Sequence, residues 1–271
     1  MGPLAEIRDL LRHRTLLRQF AWRAVEQRHR GSFLGLIWTV LSPLLSLGVY
    51  TFVFGFVFGG HFTTRADETG LDYALGIFLG LIIFNFLSEV LAQSPMTIIT
   101  QRNFVKRVVF PLEILPVATV GAAAFSAAIS LVLAVIGVTF LGHGLDWSAL
   151  WLFAILPPIG LIAVGCAWFF AALGVFIRDT ANAMPFVIQV LIYMSFVFYP
   201  LRLLDKAPAW ARNLLLANPL VHAVENLRQA VLWHEPPHAA GLFYLWVCGL
   251  VMCVVGYLTF RRLRPAFADV V

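Results

Sequence analysis

The sequence predicts an all-helical (all-α) membrane protein with an N-terminal interfacial amphipathic helix, six transmembrane helices, and a re-entrant helical hairpin between spans five and six. Of the 271 residues, 61% are hydrophobic and 12% are charged, whereas soluble domains carry about 25% charged residues. The mean hydropathy is +0.86. Several apolar runs are long enough to cross a hydrocarbon core of roughly 30 Å as helices. These observations exclude an ordinary soluble domain.

The segment before the first span, residues 4–25, is amphipathic. Its apolar residues recur at intervals of three and four, and charged residues such as Arg8, Arg12 and Arg23 occupy much of the other side. This pattern is typical of a helix that lies on a membrane surface instead of crossing it. We therefore assign residues 1–32 to a cytoplasmic interfacial helix and the loop that follows it.

The transmembrane domain is predicted over residues 33–260, and a cytoplasmic tail over residues 261–271. The predicted spans are about 33–60, 73–92, 114–141, 147–177, 183–201 and 239–260. Residues 202–238 are more polar, and Asn218-Pro219 divides them into two short helical pieces, 209–217 and 220–233. Because polar backbone at membrane depth is tolerated where protein covers it, we expect this segment to dip back into the membrane.

The distribution of basic residues predicts the orientation. Six spans place both termini on one side, and that side carries 14 of the 19 Lys and Arg residues, against five on the other. The positive-inside rule therefore makes both termini cytoplasmic. Since the basic residues flank spans, the net charge of +5 indicates attraction to membrane lipids, and no nucleic-acid partner is expected.

The sequence lacks an ATP-binding loop, which would end in Lys followed by Ser or Thr. Neither of the two lysines, Lys106 and Lys206, has that neighbour. The chain is therefore not expected to be an enzyme or to hold a cofactor, and a partner ATPase would carry the ATP and Mg²⁺. A proton-coupled carrier would place acids near the membrane midplane, whereas Glu89 and Glu113 lie toward the cytoplasmic ends of their spans.

Four sequence blocks carry a resemblance to a known family. They are QRHRGSFLGLIW (27–38) with Pro43, VKRVVFPLEILP (105–116), FIRD (176–179), and NPLV (218–221) leading to Glu225 and Arg228. In this order they resemble the ABC-2 type permeases that export cell-surface polysaccharides, of the O-antigen and teichoic acid exporter type, with capsule exporters as close cousins. The blocks span nearly the whole chain.

The resemblance implies the function and the partners. It implies a homodimer in the bacterial inner (cytoplasmic) membrane, docked on two copies of a nucleotide-binding ATPase subunit, that exports a lipid-linked polysaccharide. A capsular polysaccharide, a drug or a small lipid are alternative substrates within the ABC-2 class. A membrane-embedded transferase of lipids or glycans is an alternative from another class, but it would need convergent acid and base groups. A static scaffold is a further alternative.

The first block forms the corner between the interfacial helix and span one, and we call it the headgroup corner. Arginine side chains and the backbone N–H groups at the start of a helix can hold a phosphate or pyrophosphate group, and glycine permits close backbone approach. Contact with ordinary anionic lipid is the alternative. The candidate headgroup residues are Arg28, Arg30, Gly31, Ser32, Leu34 and Gly35.

Residues 94–107, between spans two and three, form a candidate coupling segment. A chain that lacks its own ATPase must be moved through a cytoplasmic surface, and basic side chains here could pair with acidic groups on the ATPase. An amphipathic connector without a partner is the alternative. The candidate coupling residues are Thr97, Gln101, Arg102, Asn103, Lys106 and Arg107.

Aromatic side chains are candidates for the lining of a glycan path, because flat apolar rings let a sugar chain slide without deep binding wells. Core packing and lipid contact are the alternatives for each ring. The candidate channel-lining residues are Tyr50, Phe54, Phe58, Tyr193 and Phe196.

Three polar residues of the predicted hairpin, His222, Glu225 and Arg228, lie at intervals of three on roughly one helix side. A metal site would need more ligands than these, so none is expected. An exit-side polar lining or an ion pair is the prediction. Glu113 is predicted to be a structural partner for a nearby arginine.

Overall fold

The computed structural model describes residues 14–28, 33, 35, 37–57, 62, 68–105, 111–142 and 144–270. Within these ranges every regular element is helical. Five stretches of the described chain are long and apolar enough to cross a membrane: Ile37–Phe54, Gly70–Met96, Ile114–Phe140, Trp147–Phe176 and Ala239–Val270. The prediction of an all-helical, multi-pass membrane protein is confirmed.

The α-helices are numbered in chain order. They are α1 (Arg14–Arg28), α2 (Ile37–Tyr50), α3 (Gly70–Gln93), α4 (Arg102–Val105), α5 (Ile114–Leu141), α6 (Leu152–Phe176), α7 (Asp179–Met194), α8 (Ala209–Leu216), α9 (Pro219–Val231), α10 (Ala239–Leu263) and α11 (Phe267–Val270). Helix α2 continues as a π-helical stretch, Thr51–Val57. Short 3₁₀ turns occur at Ser94–Met96, Ile99–Gln101, Trp147–Trp151, Leu201–Lys206 and Arg264–Ala266.

Helix α3 lies at the centre of the subunit. Its residues from Asp72 to Phe84 are buried without interruption, and it packs against α2, α5, α6, α7 and α9. A capping box fixes its first turn: the Asp72 N–H donates to Thr69 Oγ1 at 3.2 Å, and the Thr69 N–H donates to the Asp72 carboxylate at 2.9 Å. These bonds satisfy N–H groups that the start of a helix otherwise leaves unpaired.

Helices α6 and α10 pack with their backbones in direct contact. A Cβ atom on Gly165 would overlap the carbonyl of Met252, and a Cβ atom on Gly256 would overlap the carbonyl of Gly165. One on Gly249 would lie 2.7 Å from the carbonyl oxygen of Pro158. Small residues let membrane helices approach closely. The glycines therefore bring α6 and α10 closer together than any side chain would permit.

The fifth predicted span, residues 183–201, differs in the structure. Helix α7 begins earlier, at Asp179, ends at Met194 and has 16 residues, which corresponds to about 24 Å. The chain then leaves the helix although its sequence stays apolar, and Phe196 adopts a φ of 53°, an uncommon conformation for a bulky residue. Helix α7 alone is shorter than the roughly 30 Å hydrocarbon core. A sixth span is therefore not confirmed.

The predicted hairpin segment contains two short helices, α8 and α9, with the break at Asn218-Pro219 that the sequence predicts. The Leu220 N–H donates to Asn218 Oδ1 at 3.0 Å, and Pro219 occupies the first helical position, where its missing N–H has no cost. Helix α9 is buried along most of its length. The depth of the pair in a membrane stays a prediction.

Helix α1, which covers the described part of the predicted interfacial helix, lies along α5. The Ala21 Cβ would be 3.2 Å from a Cβ on Gly121, and the Trp22 ring meets the Phe125 ring edge to face at 6.0 Å. Small residues at this crossing let α1 and α5 approach. The placement of α1 on a membrane surface stays a prediction.

Residues 261–270, predicted as part of a tail, are helical. Helix α10 runs on to Leu263, and a 3₁₀ turn leads into α11. Phe267 is fully buried, with its ring 5.3 Å from Phe260 and 6.0 Å from Phe176. Burial of this aromatic side chain explains why the C-terminal residues fold back onto α6 and α10.

Candidate functional site

The irregular stretch that follows α7 is held by side chains from other helices. The Asn218 side-chain amide donates to the Met194 carbonyl at 3.0 Å. The Tyr73 hydroxyl, from the first turn of α3, donates to the Phe198 carbonyl at 2.6 Å. Carbonyls that leave a helix lose their partners within it, and within a membrane they must be satisfied by the protein. The irregular stretch after α7, residues 195–199, is therefore stabilised by specific side chains, and we call it the break after α7.

Arg228 binds the centre of this break. Its side chain is 1% exposed, and its guanidinium donates to the Phe196 carbonyl at 3.0 Å, to the Val197 carbonyl, and to the Gly76 carbonyl at 2.9 Å. The guanidinium carbon also lies 3.8 Å from the centroid of the Phe62 ring. The planar guanidinium carries several N–H donors, so it can bind several carbonyls while one of its faces lies over an aromatic ring. Arg228 thus joins α9, α3 and the break.

Charge balance around Arg228 is only partial. The nearest described carboxylate oxygen, on Glu225, lies 3.9 Å from the Arg228 guanidinium, and the Glu225 side chain is 28% exposed. An arginine guanidinium is not deprotonated in proteins, so Arg228 carries a positive charge. Its buried charge is stabilised mainly by carbonyl dipoles.

The three predicted exit-side residues do not share one lining. The predicted ion pair of Glu225 and Arg228 is present, but Arg228 lies inside the subunit. His222 is half-buried, with Nε2 2.9 Å from the Leu216 carbonyl and its ring 5.0 Å from Tyr244. His222 therefore links α8, α9 and α10. In the described ranges no three His, Cys, Asp or Glu side chains form a possible metal site.

Two of the predicted channel-lining rings form a cluster with a third. The Phe54 ring stacks on Phe198 at 5.3 Å, and Tyr50 lies 6.1 Å from Phe54 and 5.6 Å from Phe198. Phe198 belongs to the break after α7, so these rings connect α2 with the segment that Arg228 and Tyr73 hold. We call Tyr50, Phe54 and Phe198 the aromatic cluster.

The other predicted lining residues have different environments. Tyr193 is 59% exposed, whereas Phe196 is 4% exposed and packs against Tyr199. Phe196 therefore contributes its carbonyl to Arg228, and its ring belongs to the subunit interior instead of an open surface. Phe58 lies outside the described residues.

The first part of the predicted coupling segment is structural. The turn Ser94–Met96 packs so closely on α6 that a Cβ on Gly174 would overlap the backbone of Pro95. Thr97 is buried, and its hydroxyl lies 3.4 Å from that of Thr119. Thr97 therefore faces the interior, where a partner protein has no access to it.

The second part of the coupling segment reaches the surface. Gln101 is half-buried and Arg102 is exposed. Arg102 and Arg178 line one open pocket of about 440 Å³, so the segment after α3 and the segment between α6 and α7 present positive charge together. The side chain of Asn103 and the whole of Lys106 and Arg107 lie outside the described residues.

Of the candidate headgroup residues, Gly35 is the one that the structure describes in full. Gly35 has a φ of 51°, and its carbonyl accepts a hydrogen bond from the Trp38 N–H at 3.3 Å. No atom lies within 4 Å of a Cβ built there, so the backbone conformation, and not close approach, requires glycine. Outside the described residues lie Arg30, Gly31, Ser32, Leu34 and the side chain of Arg28.

Glu113 has the structural role that the sequence predicts. Its carboxylate forms a salt bridge with Arg264, and its carbonyl accepts from the Trp168 indole N–H at 3.1 Å. These bonds join the start of α5 to α6 and to the end of α10. The prediction of an arginine partner for Glu113 is confirmed.

A match between the sequence and a protein-family model shows how this chain is related to known proteins. The model of the ABC-2 type transporter matches residues 15–232, from the first turn of α1 to the end of α9. The chain belongs to the ABC-2 type transporter family. The resemblance of the four sequence blocks is therefore confirmed, and the family match includes the break after α7 and its ligands.

Individual ABC-2 proteins are similar to this chain over nearly its whole length. The O-antigen export system permease protein RfbA of Myxococcus xanthus is 26% identical over 268 residues, which cover 97% of this chain and 98% of that protein. A protein of the same name from Klebsiella pneumoniae is 23% identical and covers 90% of each chain. The polysialic acid transport protein KpsM of Escherichia coli is 26% identical and covers 90% of this chain and 92% of its own.

Little in the order of the amino acids indicates which groups Arg228 binds in this ABC-2 protein. Its partners Gly76 and Phe62 lie far away along the chain. One signal was present: Gly76 and Gly80 are four residues apart in a central span. A Cβ on Gly80 would lie 3.2 Å from the Arg228 guanidinium, and one on Gly76 would lie 2.7 Å from the Phe62 ring. These glycines make the space that the arginine and the ring occupy.

Proposed function

We propose that this chain is the permease subunit of an ATP-driven exporter that moves a lipid-linked polysaccharide of the O-antigen type across the bacterial inner membrane. One observation carries the proposal: the likeness to the O-antigen export permease of M. xanthus extends over 97% of this chain and 98% of that protein. Similarity to a polysialic acid transport protein makes a capsular polysaccharide the alternative substrate.

The working assembly is a homodimer on two copies of an ATPase subunit, with both termini in the cytoplasm. Aromatic rings on α7 and on the π-helical stretch are exposed in the single subunit: Phe186 is 70% exposed, Phe52 63% and Phe56 80%. Their exposure supports contact of these surfaces with a second subunit. In this assembly α1 lies on the membrane surface. Helix α7 and residues 195–201 together complete the sixth span, and α8 and α9 form the re-entrant hairpin.

The ATPase acts on the surface around Arg102 and Arg178. Both side chains are exposed and line one pocket, so an acidic surface of the ATPase can pair with them. The turn Ser94–Met96 is packed against Gly174 of α6. Because this contact leaves no space for independent movement, a displacement of Arg102 by the ATPase also moves α3 and α6.

Transport proceeds through the headgroup corner and along the aromatic surface. Arg28, Arg30, Gly31 and Ser32 capture the phosphate-bearing anchor of the polysaccharide. Closure of the ATPase then separates α2 from α7, which requires the stack of Phe54 on Phe198 to open. The glycan slides along the exposed rings, and its lipid anchor follows through the membrane.

Deletion and complementation in the native host test this function. Loss of the gene is expected to remove surface polysaccharide and to leave the polymer inside the cell, and the wild-type gene is expected to restore export. Glycan linkage analysis distinguishes an O-antigen from a capsule. The purified chain is expected to hydrolyse no ATP until the ATPase subunit is added. Unchanged surface polysaccharide in the deletion strain would overturn the proposal.

A further inference from the structure

An open groove of about 800 Å³ lies between α1 and α5. The two helices meet at Ala21 and Gly121, where a Cβ on the glycine would lie 3.2 Å from the alanine Cβ. Both residues line the groove, together with polar and charged side chains from the middle of α1. We call this feature the α1–α5 groove. It is separate from the headgroup corner, which follows the end of α1.

The length of α5 relates this groove to the membrane surface. From Gly121 to its last residue, Leu141, α5 is about 30 Å long at about 1.5 Å per residue. A hydrocarbon core is also roughly 30 Å thick. An upright α5 therefore crosses the core with the part beyond Gly121 and brings the groove to the level of the lipid headgroups. Trp22, whose ring meets Phe125 edge to face at 6.0 Å, is a residue type enriched at that level.

Two arginine side chains of the groove have donors available for an anion. Arg18 and Arg23 are exposed and line the groove. Among the described residues, no hydrogen bond or ion pair uses either guanidinium. Glu26 lines the same groove and forms no ion pair with them in the described part of the chain. Because the planar guanidinium matches the oxygens of a phosphate group, the two arginines favour a phosphate-bearing ligand.

An apolar strip of α5 continues from the groove across the membrane. Phe125 lines the groove, and Val132, Ile136 and Phe140 follow it at intervals of seven and four, all of them exposed. Residues at these intervals lie on one face of a helix. An acyl chain can lie along this face, whereas a free phosphate ion or an acidic protein surface would leave it uncovered. A basic groove that leads into an apolar strip therefore fits a lipid.

We propose that the α1–α5 groove binds one anionic membrane phospholipid, with its phosphate at Arg18 and Arg23 and an acyl chain along the exposed strip of α5. Basic pockets beside membrane helices suit anionic headgroups at the membrane surface. The bound lipid connects α1 to α5 where they cross and holds α1 at the membrane surface. The site goes beyond the proposed function, because it does not depend on which substrate the protein exports.

Native mass spectrometry of the full-length chain tests the site. The protein is released from nanodiscs that contain equal amounts of phosphatidylglycerol and phosphatidylethanolamine, and the retained lipid is identified. The wild type is expected to retain phosphatidylglycerol, and the double variant Arg18→Gln, Arg23→Gln is expected to retain several-fold less. Arg262→Gln, at an exposed arginine in the last turn of α10, is the charge-matched control and should behave as the wild type. Equal retention by the double variant, or equal retention of the two lipids by the wild type, would overturn the proposal.

Competition distinguishes a phospholipid from other sources of phosphate. Inorganic phosphate is expected to leave the retained phosphatidylglycerol in place, because it has no acyl chain for the strip of α5. Undecaprenyl phosphate is the probe for the anchor of a lipid-linked glycan, and an equal amount of it is expected to displace little phosphatidylglycerol. Displacement by inorganic phosphate would contradict a lipid site, and displacement by undecaprenyl phosphate would assign the groove to the transported substrate. Either result overturns the proposal and leaves the proposed function untouched.

Photocrosslinking in cells tests what occupies the groove in the working protein. Gln19, which is exposed and lines the groove, is replaced by the photoreactive residue benzoylphenylalanine. The same replacement of Phe153, which is 79% exposed on α6, reports the lipids that surround the protein in general. The ratio of phosphatidylglycerol adducts to phosphatidylethanolamine adducts is expected to be several-fold higher for the Gln19 variant. Equal ratios, or a Gln19 adduct with the ATPase or with a second copy of the chain, would overturn the proposal.

Discussion

The Arg228 Nε–H donates to the carbonyl of Gly76 at 2.9 Å, across 152 positions of the chain. The same guanidinium holds the carbonyls of Phe196 and Val197. One side chain therefore fixes a central helix, the helix that carries the arginine, and the stretch where α7 ends. Removing it leaves three acceptors in a buried environment without their donor.

Replacement of Arg228 is expected to destabilise the subunit strongly. Arg228→Met removes every donor, and because each unsatisfied buried group costs about 1–3 kcal/mol, we expect a loss of about 3 kcal/mol or more in the free energy of unfolding. Arg228→Lys keeps the charge but lacks the planar fork, so it should restore only part of the stability. Denaturant titration of the purified protein measures both. Arg212→Met, at an exposed arginine of α8, is the control and should be neutral.

The bond from Tyr73 to the Phe198 carbonyl is expected to make a smaller contribution. Tyr73→Phe removes the hydroxyl and leaves the ring in place, so a loss of about 1 kcal/mol is expected. Tyr50→Phe is the matched control, because no hydrogen bond of the described residues uses the Tyr50 hydroxyl. Thermal unfolding of the two variants under identical conditions compares them. Equal melting temperatures would contradict a role for this bond.

The contact of α6 with α10 predicts a position-specific effect of side-chain size. Gly165→Leu places a side chain against the carbonyl of Met252, so the helices must separate, and we expect a loss of about 3 kcal/mol or more or a failure to accumulate. Gly160→Leu in the same helix is the control, because a Cβ there meets no atom within 4 Å. Membrane protein levels and melting temperature measure the difference. Similar behaviour of the two variants would show that the contact is loose.

The salt bridge between Glu113 and Arg264 is expected to contribute modestly. The side chains are 12% and 41% exposed, so solvent screening limits the interaction to about 0.5–1 kcal/mol. Arg264→Glu should destabilise the protein, and the double variant that also carries Glu113→Arg should recover part of the loss. A double-mutant cycle at low and high salt measures the interaction energy. Strict additivity of the two single changes would exclude an interaction.

The coupling surface predicts a loss of ATPase binding on charge reversal. Arg102→Glu and Arg178→Glu are expected to reduce co-purification of the ATPase subunit and to lower export, with melting temperatures unchanged because both side chains are exposed. Arg212→Glu, on α8, is the charge-matched control and should bind the ATPase normally. Thr97→Val should have the opposite profile, with lower stability and normal binding, because Thr97 is buried. Normal binding by both arginine variants would place the coupling surface elsewhere.

Composition and local pattern were enough for the membrane class, for the long apolar helices that could cross a membrane, and for the break at Asn218-Pro219. These features depend on short stretches of chain, where hydropathy and a proline act directly. The pairing of Glu113 with an arginine, which is Arg264 in the structure, was also predicted from the sequence. The end of helix α7 at Met194 could not be predicted, because residues 195–199 are as apolar as the helix before them. The side chains that hold these residues outside a helix come from Tyr73, Asn218 and Arg228, which are distant in the sequence.

The amino-acid order by itself determined that this protein crosses a membrane many times and belongs with the ABC-2 transporters, because the cost of placing charge in lipid acts on each residue where it stands. Only the tertiary structure decided the use of the polar residues. A single arginine in an amphipathic helix has the same local sequence pattern whether it lines a transport path or stabilises the fold. Arg228 stabilises the fold because the carbonyls of Gly76, Phe196 and Val197 converge on it. Which distant segments converge depends on tertiary packing, and a local sequence pattern does not contain that information.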